Sequence, residues 1–186
     1  MPVRSTYGRR EFLAFGLGWA TVLATSNKSR ADVGGADSTA KRGRVIAACT
    51  RHWAENSGDC SGFVKSVVAE LNLGFALSGR ANDICDQIAK APWVRIGVGN
   101  ESAAIGGISA GEGKLVLAGL AAPGNGHVAV VVDYRNAFDS YDPKDRDKAV
   151  ASWGKLHSVG QQYMRITQAW TAGDSNNVFY AYAEIP

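Results

Sequence analysis

Only three cysteines occur in the 186 residues, Cys49, Cys60 and Cys85. That is too few for a disulfide framework, so the fold must rest on an ordinary apolar core. Cys49 and Cys85 can pair in an oxidising compartment and leave Cys60 as the odd thiol; two buried, reduced cysteines fit the composition equally well. No apolar run reaches the roughly 20 residues of a membrane-spanning helix, and no permanent membrane span is expected. A basic surplus is missing too, once the N-terminus is set aside. Residues 1–31 hold Arg4, Arg9, Arg10, Lys28 and Arg30 against Glu11, leaving fifteen basic and sixteen acidic side chains over 32–186. Nucleic acid is therefore not an expected partner, because it needs a basic face on the folded part. Metal-ligand spacing is also lacking: Cys49-Thr-Arg-His52 has no second Cys/His pair to answer it, so neither metal nor cofactor is expected.

What is present suits one domain with a real core. Apolar residues make up 46% and charged residues 20% of the chain, a globular composition rather than a disordered one. At the N-terminus, Arg9-Arg10-Glu-Phe-Leu13 precedes an apolar stretch from Phe12 to Ala24, diluted by Gly16 and Gly18 and followed by Ser29-Arg30-Ala31. Basic, apolar, then small and polar is the order of a cleavable export signal, and the paired arginines match the twin-arginine type. A general secretory signal or a cytosolic extension are the competing readings. Residues 1–31 are thus expected as a signal, residues 32–186 as a single domain, and the location as periplasmic or secreted.

Within 32–186, Asp32–Thr39 reads as a flexible arm. Lys41–Trp53 has helical spacing through Val45, Ile46, Ala48, Cys49 and Trp53. After a loop at 55–59, the spacing predicts a helix from Cys60 to Leu73, with Phe63, Val64, Val67, Val68 and Leu71 on one face, Asp59 as N-cap and Gly74 as the stop. Ala81–Lys90 reads as a third helix. Strand-type runs follow at Lys114–Leu120, His127–Tyr134, Ala137–Tyr141, His157–Ile166 and Val178–Glu184. Helices first and strands later predict an α+β fold, N-terminal helices packed on an antiparallel β-sheet.

The stretch Ser57-Gly-Asp-Cys60-Ser-Gly-Phe-Val-Lys-Ser-Val-Val68 carries the chemistry. The thiolate attacks carbonyls, and a helix N-terminus favours it through the partial positive charge of unpaired amides. Cys60 N–H sits where an oxyanion would form. His127 opens the apolar run Val-Ala-Val-Val-Val132, expected to be central in the sheet, and suits a general base and acid. Gly126 is expected to leave room for substrate beside the ring. A third polar group usually orients the imidazole; Asp142 is the candidate, with Ser140 and Asp139 as rivals. His52 and His157 are expected to be structural, and Gly62 to admit a close approach to the first helical turn.

These residues resemble the NlpC-type branch of the papain-like peptidases, and more closely the first family of type VI secretion amidase effectors. The likeness rests on Asp59-Cys-Ser-Gly-Phe-Val-Lys-Ser-Val-Val-Ala-Glu-Leu71, Leu115-Val-Leu-Ala-Gly-Leu120, Gly126-His-Val-Ala-Val-Val131 and Ser158-Val-Gly-Gln161, in that order. The resemblance implies a papain-like fold and a cysteine amidase acting on bacterial peptidoglycan at the D-glutamyl–diaminopimelate bond. Cys60 would be its nucleophile and His127 its base. It also implies an interbacterial toxin with a cognate immunity protein as partner; effectors of that family need no signal peptide, so the signal expected here suits either a toxin exported by a different route or a cell-wall remodelling enzyme acting on its producer's own wall. A non-catalytic peptidoglycan-binding module on the same fold is the alternative from another class.

Overall fold

The computed structural model describes residues 20–133 and 149–186, with the backbone alone for 20–34. The chain divides into two compact units, 1–34 and 35–186. Helices are α1 (Ala20–Asn56), α2 (Cys60–Leu71), α3 (Ala81–Ile88) and α4 (Asn100–Gly111). Strands are β1 (Val94–Val98), β2 (Leu115–Leu120), β3 (His127–Asp133), β4 (Val150–Trp153), β5 (Gln161–Arg165) and β6 (Phe179–Ala183). The strands form one sheet in the order β1-β6-β2-β3-β4-β5, and every neighbouring pair is antiparallel. The expected α+β class is met, with β3 inside the sheet.

Alternation along the inner strands decides the layers. Leu115 and Leu117 of β2 and Val128, Val130 and Val132 of β3 face α1, α2 and α3. Val116 and Ala118, with Ala129 and Val131, face the opposite way, toward Ala103 and Ala110 of α4. Because helices cover both faces, β2 and β3 are apolar at nearly every position, as a doubly covered strand must be. In α2, Phe63, Val64, Val67, Val68 and Leu71 are buried, and each such side chain stabilises the fold by about 1.5–3 kcal/mol. That stripe presses the helix onto the sheet and fixes its N-terminus near the start of β3.

Several local expectations need correction. Asp32–Thr39 is not an irregular arm but part of α1. From Gly35 onward the helix is held by a Thr39 hydroxyl donating to Gly35 O at 2.8 Å and by an Asp37–Lys41 ion pair at 3.0 Å. The expected strand from His157 to Ile166 shortens to Gln161–Arg165, because the amides of Lys155 and Gly160 both donate to Ser57 O, at 2.9 and 2.7 Å. Residues 155–160 therefore form a strap across the turn before α2, with His157 at φ 59°. Strands β1 and β4 and helix α4 have no counterpart among the expected elements. The strand expected at Ala137–Tyr141, and with it Asp139, Ser140 and Asp142, lies outside the described residues. Cys49, Cys60 and Cys85 are all buried free thiols.

Candidate active site

Asp59 is the N-cap of α2: its backbone is extended and its carboxylate accepts from Ser61 N at 2.9 Å. Its carbonyl accepts from Phe63 N, also at 2.9 Å. The amide of Cys60 is left without a hydrogen bond among the described residues, as the first turn of a helix requires. A Cβ on Gly62 would stand 2.6 Å from Asp59 Oδ2 and 2.7 Å from Asn56 Oδ1. The close approach expected at Gly62 is thus made by the cap itself.

Cys60 lies at the junction of two cavities of about 620 and 510 Å³. Both are lined by Cys60, Asn125, Gly126, Leu156 and His157. The first runs toward the start of α3, past Lys65, Arg80 and Asn82. The second holds His127, Lys155, Trp170 and Asp174. Thiol and imidazole therefore share one cleft, although they come from opposite sides of the sheet. Cys60 packs with the face of Val128 and Val130, whereas His127 has the strand parity of Ala129 and Val131. They converge at the ends of β2 and β3, and no hydrogen bond joins them in this arrangement.

The His127 ring meets Trp170 edge-on, with centroids 5.3 Å apart and planes at 68°. Its Nε2 is buried and has no hydrogen-bond partner among the described residues. Burial, and then the positive charge of Lys155, lowers the His127 pKa to about 4. A neutral imidazole with a free nitrogen can accept a proton. The other cysteines offer no rival. Burial and then Glu70 raise Cys49, while burial, Asp86 and Cys60 push Cys85 up to about 12.

Two sequence expectations fail here for packing reasons. The space beside Gly126 is taken by Asn82 of α3, whose amide donates to Ala122 O at 2.9 Å and accepts from Ala122 N at 3.1 Å. Gly126 thus lets α3 clamp the β2–β3 loop and does not make room for substrate. His157 is exposed on the strap and lines both cavities, whereas His52 has the structural role expected, with Nε2 2.8 Å from Glu70 Oε2. Arg80, Lys155 and Trp170 were not singled out by sequence, and Asn82 only as a possible start of the third helix, whose N-cap is Arg80. The Ser158-Val-Gly-Gln161 stretch was the one available signal, since it fixes the strap that carries Lys155 and His157. Among the described residues, no group of three or more His, Cys, Asp or Glu converges as a metal site.

The molecule is therefore an α+β protein with a thiol and an imidazole facing one cleft at the end of a central strand pair. No family model matches the chain. A peptidoglycan amidase of Pseudomonas aeruginosa, Tse1, is 34% identical to it over 131 residues, which is 65% of this chain and 81% of the relative. The chain belongs to the Tse1 peptidoglycan amidase family.

Proposed function

We propose that the protein is a peptidoglycan amidase of papain-like, NlpC-type fold that hydrolyses a stem-peptide amide through a Cys60 thiolate. The observation that carries this reading is the placement of Cys60 as the first residue of α2 in a cleft shared with His127. Membership of the Tse1 family supports peptidoglycan as the substrate. The D-glutamyl–diaminopimelate bond is the proposed point of cleavage.

The chemistry follows from the groups in the cleft. His127 takes the Cys60 proton, and the thiolate adds to the amide carbonyl, forming the C–S bond. The Cys60 amide donates to the oxyanion. Imidazolium returns its proton to the amine as the C–N bond breaks, leaving a thioester. Water, deprotonated by His127, then releases the carboxylate and restores the thiol. Charge on the thiolate offsets the Lys155 field, so the imidazolium is more stable beside it than in the resting site. Asp142 is proposed to orient the imidazole. Residues 1–31 are proposed as an export signal that delivers a periplasmic or secreted enzyme, acting on the wall of a rival that carries an immunity protein or on the producer's own.

Purified sacculi incubated with wild type, Cys60→Ala and His127→Ala test this reading. Wild type should release soluble muropeptides, and each variant should lose at least about a thousandfold in rate. Undiminished release by Cys60→Ala would rule the thiolate out.

A further inference from the structure

The two arms of the cleft each hold a cation with no anionic partner. Arg80 lies in the arm toward α3 and Lys155 in the arm beside His127; both are exposed, and neither has a carboxylate within ion-pair distance among the described residues. Carboxylates do line the cleft, but each is turned into its own backbone or loop. Asp59 caps α2, Asp83 accepts from Arg80 N at 2.8 Å, and Asp174 accepts from the Thr171 hydroxyl at 2.6 Å. Lys65, half-buried in the first arm, donates to the Gly79 carbonyl at 3.1 Å and adds a second positive charge beside Arg80. Among the described residues, Arg80 and Lys155 are the exposed cations of the cleft without an ion pair, one in each of the two cavities that meet at Cys60. Such groups recognise carboxylate, the guanidinium as a fork and the ammonium as a point charge.

We propose that Arg80 and Lys155 are the carboxylate-recognising cations of the cleft, one in each arm, so that the site selects peptides with a free carboxylate on each flank of the amide it cuts. This rests on the amidase reading of the same cleft. It also couples binding to chemistry. Lys155 acts electrostatically on His127, so a substrate carboxylate beside Lys155 cancels a charge that opposes protonation of the base.

The test uses three stem-peptide fragments: a parent with a free carboxylate on both flanks, and two analogues with one or the other as carboxamide. In wild type each carboxamide should cost about tenfold in kcat/KM, mostly in KM. Arg80→Gln should lose that discrimination on one flank and Lys155→Gln on the other. Lys155→Gln should also move the acidic limb of kcat/KM to higher pH, because the charge holding His127 down is gone. Calorimetric binding of the same peptides to Cys60→Ala keeps the test independent of turnover, with the parent expected about tenfold tighter than either analogue. Equal binding of all three, unchanged discrimination in both variants, or loss on the same flank in both would overturn the proposal. Discrimination in binding without cleavage of any peptide or of sacculi by wild type would sink the amidase reading and leave the recognition standing.

Discussion

At the scale of single residues, His127 is the group whose environment says most. It is held neutral by burial and by Lys155, with its pKa lowered to about 4 against about 6.5 for a free imidazole. Between those values the unfolded chain binds a proton that the folded protein refuses, so stability is lost as pH falls from about 6.5 toward 4. The loss from this group is at most about 3 kcal/mol. Urea midpoints measured across that window for wild type and His127→Gln should show a shallower acid decline in the variant; parallel curves would contradict the assignment. Thiol chemistry gives a second expectation. Cys49 and Cys85 are both raised by burial, so iodoacetamide near neutral pH should label native wild type at Cys60 and leave Cys60→Ala unlabelled, as read by intact mass.

At the scale of elements, the site hangs on three local devices: the α2 cap, the Asn82 clamp and the strap at 155–160. Gly62→Ala forces the Asp59 carboxylate out of its place and should cost about 1–2 kcal/mol in denaturant unfolding, together with activity. Asn82→Ala removes both hydrogen bonds to Ala122 and should cost a similar ~1–2 kcal/mol. Its mark should be faster amide exchange confined to residues 121–126. These devices were unequally legible. Helix α2 could be read because the Asp59 cap and the apolar stripe agree, although it stops at Leu71 with Asn72 as its left-handed C-cap, ahead of the stop expected at Gly74. Helix α4 could not: Asn-Glu-Ser-Ala-Ala-Ile-Gly-Gly-Ile-Ser-Ala-Gly has two glycines inside and no apolar stripe. Its helix forms because small residues let it lie flat on the sheet, a tertiary effect that overrides propensity. The strap was misread as a strand because Ser57 O, far back in sequence, takes the amides of Lys155 and Gly160.

At the scale of the whole molecule, a sheet covered on both faces places the cleft at the ends of β2 and β3, where α2 begins. Cys60 and His127 could be singled out in the sequence, and the structure brings them to one cleft, because each has a telling local context, a cap before one and a strand after the other. The proposed recognition groups were not, since Arg80 and Lys155 come from separate loops that only folding brings to the two cavities meeting at Cys60. Hydrolysis of a peptidoglycan amide by Cys60 is the central proposal. The most direct measurement is mass spectrometry of purified peptidoglycan fragments after incubation with wild type and with Cys60→Ala. Cleavage between D-glutamate and diaminopimelate by wild type, and intact stem peptides with Cys60→Ala, is the expected result. Intact stem peptides with both proteins, or the same cleavage by both, would contradict it.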